Sequence, residues 1–211
     1  VELSDSNQVF VFPSGGNLVV HQNRDFTFDG VVETGRFALY GKNINFVYDS
    51  FELAFNYIDS LQYAVPSDLY DNTGSPVDWA VNTVISDLVG TLSIDAPNNK
   101  SGLQDYPEFP KLKSIKDSYI YYDNIKDGVY ERDLFSFKVD PFQLDSLLTI
   151  DTYSLEFPGY LNAPSIFPLF PDTLILNKDL ELSFIHEIKN KYPVYQGKGF
   201  FTNKLNLDNS G

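Results

Sequence analysis

The chain has 211 residues, 43% hydrophobic and 16% aromatic, with 18 Phe and 14 Tyr; this excludes a disordered segment and supplies a buried core. A formal charge of −14 repels phosphate backbones and anionic headgroups, which excludes nucleic acid as a partner. The absence of cysteine removes disulfides, thiolate metal sites and cysteine nucleophiles, and no stretch reaches the ~20 apolar residues of a membrane-spanning helix.

The sequence opens abruptly at Val1-Glu2-Leu3, ends at Asn209-Ser210-Gly211 and contains no Met. It is read as a processed or excised piece of a longer protein, so the missing signal peptide says nothing about export. Alternation of period two dominates the first third. Ile44, Phe46 and Tyr48 form one set, Phe51, Leu53, Phe55 and Tyr57 a second, and Leu61, Tyr63 and Val65 a third. Each set is expected on the buried face of a strand, with Asn45, Glu52 and Asn56 pointing the other way. Asp49-Ser50 shifts the phase by one and predicts a bulge or tight turn.

Residues 75–90 read differently. Ser75 suits a helix cap, Pro76 the first helical position and Gly90 the end, while Val77, Val81, Val84 and Leu88 recur at helical spacing. One short helix is therefore expected near 76–88, against the β-branched character of Val81, Thr83, Val84 and Ile85. The lone Trp79 would sit in that helix and pack on the sheet. Leu92 and Ile94 read as a short strand, and residues 96–110, rich in Pro, Asn and Gly, as a loop. Strands return at 119–122, 135–139, 153–157, 174–176 and 180–184, with Asp127-Gly128 as a hairpin turn.

Several phrases recur. Asp49-Ser50-Phe51-Glu52-Leu53 returns as Asp140-Pro141-Phe142-Gln143-Leu144, and Asp59-Ser60-Leu61 as Asp145-Ser146-Leu147. Aromatic-x-Gly occurs at Phe28-Asp29-Gly30, Phe157-Pro158-Gly159 and Tyr195-Gln196-Gly197. A degenerate tandem β-repeat explains these, giving a repeat region at 1–61, an inserted segment at 62–116 and a second repeat region at 117–211, which together can pack as one domain. Chance similarity among short strand-and-turn phrases is the competing reading.

The catalytic inventory is thin. His21 and His186 are the only imidazoles, in no metal spacing, and no nucleophile elbow or phosphate-cradling loop is present. Two clusters are candidates nonetheless. Asp68, Asp71, Asn72 and Asp78 surround Gly74 in a polar loop whose hard oxygen ligands suit Ca²⁺, although Asx residues also build turns unaided. Asp123, Asp127, Glu131 and Asp133 lie near Tyr121 and Tyr130, a mixture suited to a sugar and also typical of a hairpin tip.

Three phrases carry a resemblance: Phe26 through Phe28-Asp29-Gly30 to Gly35 and Phe37; Gly90-Thr91-Leu92-Ser93-Ile94-Asp95 running into Asn98-Asn99-Lys100-Ser101-Gly102; and Gly197-Lys198-Gly199-Phe200. Together they resemble segments of very large, β-rich envelope proteins of Bacteroidota-type bacteria. The resemblance implies export and a larger parent protein, and transfers no catalytic residue. More loosely, glycine-punctuated strands are similar to those of bridge-like lipid-transfer proteins and of β-sandwich adhesion modules.

The expected fold is mainly β, an antiparallel sandwich or stacked repeat modules with the one short helix. The expected function is that of a non-catalytic structural or interaction module in an extracytoplasmic assembly at the cell envelope, periplasm or surface. Its partners would be other segments of the parent protein, an envelope complex or a glycan, with no cofactor other than the Ca²⁺ considered above. The alternatives are a lipid-binding or lipid-transfer β-groove and a carbohydrate-active enzyme.

Overall fold

The computed structural model describes residues 1–123, 130–164, 169–188, 197–201 and 205–208. The strands are β1 (Glu2–Ser4), β2 (Val9–Pro13), β3 (Val19–Val20), β4 (Phe26–Thr34), β5 (Phe37–Val47), β6 (Glu52–Tyr70), β7 (Pro76–Ala80), β8 (Leu88–Ser93) and β9 (Lys111–Ser114). They continue as β10 (Ser118–Tyr121), β11 (Ser136–Val139), β12 (Gln143–Leu144), β13 (Glu156–Asn162), β14 (Phe170–Leu176), β15 (Leu182–Ile188), β16 (Gly197–Phe201) and β17 (Leu205–Asp208). Every described pairing is antiparallel. The fold is mainly β, as its alternating aromatics and β-branched residues predict. No described helix is long and apolar enough to cross a membrane.

The chain divides into two compact units. The first comprises residues 1–80, 85–118 and 141–152 and carries a ten-stranded sheet ordered β1-β2-β4-β5-β6-β8-β9-β12, with β3 alongside β4 and β7 alongside β6. Its buried face is the alternating set: Phe26, Phe28, Phe37, Leu39, Ile44, Phe46, Leu53 and Phe55 are each at most 9% exposed. Each such side chain contributes about 1.5–3 kcal/mol on burial. Phe26 and Phe46, cross-strand partners, stack with centroids 4.7 Å apart. The predicted turn at Asp49-Ser50 is present, closed by the Phe51 amide donating to the Tyr48 carbonyl at 3.3 Å.

Alternation on β6 is interrupted twice. A register shift against β8 between Phe55 and Ile58, and one against β5 between Tyr40 and Gly41, reset the phase. Ile58 is therefore fully buried, while Tyr57, expected inside, is 45% exposed and donates its hydroxyl to Asp87 at 2.7 Å. Leu61, Tyr63 and Val65 then resume the inward series. The segment 62–116, expected as an insert, runs on from the middle of β6 and supplies β7, β8 and β9 to this same sheet.

The second unit comprises residues 81–84, 119–140 and 153–211, with a seven-stranded sheet ordered β10-β11-β13-β14-β15-β16-β17. Tyr122, Phe135, Phe137, Phe157, Leu161, Leu174 and Leu182 are buried in it. Residues 81–84 join it through the Asn82 amide to the Leu180 carbonyl at 2.7 Å and the Thr83 hydroxyl accepting from the Leu182 amide at 2.8 Å.

Two of the aromatic-x-Gly phrases serve one physical purpose. Phe28 and Phe157 point into a core, and the glycine two residues on meets a neighbouring strand so closely that a Cβ would lie 2.2 Å from the Phe12 carbonyl oxygen at Gly30 and 2.0 Å from that of Lys138 at Gly159. Residues 49–53 and 140–144 each run into a strand at the fourth position with the leucine buried. Asp59-Ser60-Leu61, by contrast, is mid-strand in β6, whereas Ser146 of Asp145-Ser146-Leu147 turns with φ 57°. Tyr195-Gln196 lies outside the described residues.

The expected helix near 76–88 is not formed. Residues 71–75 are a hairpin turn, Pro76 begins β7 and pairs with Tyr70, Ile85 bridges Leu61, and Leu88 begins β8. Ser75 belongs to the turn, Gly90 lies inside β8, and the β-branched residues follow their extended preference. Tyr153, expected in a strand, lies in a 3₁₀ turn over Thr152–Ser154, and Leu180 turns with φ 60° ahead of β15. Asp127-Gly128 lies outside the described residues.

Candidate functional site

Three regions carry the side chains that sequence reasoning singled out, or should have. The first is the β6–β7 hairpin. The Asp71 carboxylate organises its tip, its Oδ1 accepting from the Thr73 hydroxyl at 2.6 Å, the Thr73 amide at 2.8 Å and the Ser75 amide at 2.9 Å. These bonds hold the Asp71 pKa below its usual value, the Thr73 hydroxyl contributing most. Asp78 is taken by Arg36, whose Nε lies 3.0 Å from Oδ1.

Two of the acids proposed as calcium ligands, Asp71 and Asp78, are thus engaged in the turn and in an ion pair. Asp68 and Asn72 lie exposed at the tip, and Asp68, Asp71 and Asp78 do not assemble into a group that would hold a metal. Among the described residues no three His or acidic side chains do so.

The same hairpin exposes apolar side chains that periodicity did not flag. Leu69 is 56% exposed, Tyr70 70% and Trp79 43%. Trp79, expected to pack on the sheet from a helix, stands on β7 opposite Val65. The signal was available: Asp71-Asn72-Thr73-Gly74-Ser75 is a run of turn residues between two extended stretches, and Pro at a strand start marks an edge.

The second region surrounds β10. Tyr119 and Tyr121 alternate along one strand face and stack 5.7 Å apart, 8° from parallel. The Arg132 guanidinium sits 4.3 Å over the Tyr121 ring and donates from Nε to Asp123 Oδ2 at 2.6 Å. Tyr130 packs against Phe135, the Glu131 carbonyl accepts from the backbone amides of Leu134 and Phe135 in a turn, and the Asp133 carbonyl accepts from the Asn162 side-chain Nδ2 at 3.4 Å. Asp127 lies outside the described residues. The ring of Tyr121 and the carboxylate of Asp123, offered for a sugar, are thus engaged by one arginine.

The third region was not anticipated. An open depression of ≈ 340 Å³ is lined by Ser14, Asn17, Val19, Thr27, Asp29 and Asn43, among others. Asp29 accepts from the Asn43 amide at 2.7 Å. His21, exposed nearby, lies 3.4 Å from the Thr27 hydroxyl through Nε2. Nothing in the periodicity marks this depression, because it depends on the chain turning over at Ser14–Gly16 between β2 and β3.

No protein-family model matches the chain, and no curated protein or solved structure is significantly similar to it.

Proposed function

We propose that this chain is a non-catalytic structural or interaction module of a larger extracytoplasmic assembly, recognising a protein partner through hairpins and strand edges carried on a rigid sheet. The observation that supports this reading is the division of the apolar side chains. Most of the alternating rings, Phe26, Phe28, Phe37, Phe46, Phe55 and Tyr63 among them, are buried at 9% exposure or less, whereas the exposed Phe12, Val19, Val20, Leu69, Tyr70 and Trp79 lie on short strands or strand ends. Buried rings are framework, and exposed aromatics at element ends are the usual anchors of partners. Export and the larger parent rest on the resemblance to Bacteroidota-type envelope proteins.

A lipid-transfer groove needs a continuous open apolar strip, whereas Phe26, Phe28, Phe37, Phe46, Phe55 and Tyr63 on β4, β5 and β6 are covered, and the exposed Tyr57 on β6 donates its hydroxyl to Asp87. Native mass spectrometry of the purified chain is expected to return the bare polypeptide mass. A retained lipid would replace this reading with the groove. A glycosidase reading makes the opposite demand of Asp123 and Glu131: any glycoside hydrolysis lost in both Asp123→Ala and Glu131→Ala would establish an enzyme.

A further inference from the structure

β7 has one partner among the described strands, β6, and no described strand pairs with its other edge. The polarity of that edge follows from the ladder. The Ala64 amide donates to the Arg36 carbonyl at 2.9 Å, away from β7, so the Ala64–Ala80 pair is a non-hydrogen-bonded one. The backbone groups of Ala80, and by the same alternation those of Asp78, therefore point outward along the free edge. Pro66, opposite Asp78, sits where a missing N–H costs the β6–β7 ladder nothing.

Side chains beside this edge are apolar and acidic. Trp79 and Val77 share one face, and Tyr70 shares the other with Pro76. From residue 66 to 80 the charged residues are Asp68, Asp71 and Asp78, with no Lys or Arg; Asp78 is paired with Arg36, and Asp68 and Asp71 leave the tip acidic. A second copy of the chain would bring another such acidic hairpin and a net charge of −14 against it, so like-charge repulsion disfavours self-pairing.

We propose that the free edge of β7 takes up an extended segment of a partner protein in which apolar side chains alternate with lysine or arginine. Main-chain bonds to Asp78 and Ala80 supply register, the apolar residues cover Trp79, and the cations face the acidic tip. This rests on the interaction-module reading and names its surface.

Trp79 is the sole tryptophan, so its fluorescence reports on this edge alone. A short peptide alternating valine and lysine is expected to shift its emission to the blue, less strongly as salt is raised. A valine–glutamate peptide is expected to leave it unchanged. Ala80→Pro removes an outward amide and is expected to weaken the lysine peptide about tenfold. Should that variant misfold, hydrogen exchange on the unaltered chain is decisive: the Asp78 and Ala80 amides gain protection when the lysine peptide is added. No shift, an equal response to the glutamate peptide, unprotected amides, or a Trp79 shift on concentrating the chain alone would overturn the proposal. With no lipid retained and no hydrolysis, those results remove only this surface; a retained lipid would remove the module reading itself.

Discussion

The β6–β7 hairpin and the region around β10 hold similar residue types, acids beside tyrosines in short polar stretches, and use them in opposite ways. In the hairpin, Asp71 and Asp78 are consumed in shaping the backbone and pairing Arg36, while Leu69, Tyr70 and Trp79 stay in solvent. Around β10 the aromatic surface is turned inward on itself: Tyr121 is covered by Arg132, Arg132 is held by Asp123, and Tyr122 and Phe135 pack edge to face at 5.2 Å beneath. Composition alone does not distinguish a surface that awaits a partner from one that has satisfied itself. A cation seated over the aromatic ring, as Arg132 is over Tyr121, does.

Truncation should separate the two regions most sharply. Phe135 is 2% exposed and touches both Tyr122 and Tyr130, so Phe135→Ala is expected to lower the unfolding free energy by about 3–5 kcal/mol. Leu69→Ala, removing an exposed side chain, should cost less than about 0.5 kcal/mol. Urea midpoints of the two variants check this. Comparable losses would mean that the hairpin is structural rather than open.

High pH sharpens the contrast on a smaller scale. The Tyr122 hydroxyl is buried with no hydrogen-bond partner among the described residues. Burial, assisted by the charge of Glu181, pushes its pKa well above the usual 10.0. Above that value the unfolded chain releases a proton that the folded one retains, so stability falls as pH rises, by about 1.4 kcal/mol per pH unit from this group until its folded pKa is reached. Tyr122→Phe should flatten that limb and, by removing an unpaired buried hydroxyl, add about 1 kcal/mol at neutral pH. Trp79→Phe in the hairpin should leave the alkaline profile unchanged. Denaturant titrations across the alkaline range provide the measurement.

How much of this was legible in the sequence follows the same physics. Ile44, Phe46, Leu53, Phe55, Leu61, Tyr63 and Val65 face a core as their spacing says, because a strand has only two faces and water is excluded from one. Tyr57 fails because bulges reset the phase of β6, and a bulge is set by the neighbouring strands rather than by local composition. The helix near 76–88 fails because its punctuation is ambiguous: Ser75 closes a hairpin, Pro76 opens a strand and Gly90 sits inside β8 where a neighbouring strand passes closely. The helical spacing of Val77, Val81, Val84 and Leu88 is outweighed by the extended preference of β-branched residues. Both proposed sites were assembled from sequence neighbours. Arg36 and Arg132, the residues that decide what those acids do, were left out because their roles require knowing which strands lie side by side or where the chain turns back.

The smallest expected effect tests whether the hairpin tip is autonomous. Three hydrogen bonds converge on one oxygen of Asp71, all from within the turn, and the group is fully exposed. Its lowered pKa makes its contribution complete above the ordinary carboxylate value of 3.8 and lost as pH falls through the lower folded value. The amide resonances of Thr73 and Ser75 should therefore titrate with a midpoint below 3.8. In Asp71→Ala those amides should exchange faster while the global urea midpoint stays where it was. Nothing at the tip reaches the buried face of the sheet, so loosening it cannot propagate into the core. A global loss of stability in Asp71→Ala would place the tip within the cooperative fold, and the hairpin would then lose its claim to be a surface held out for something else.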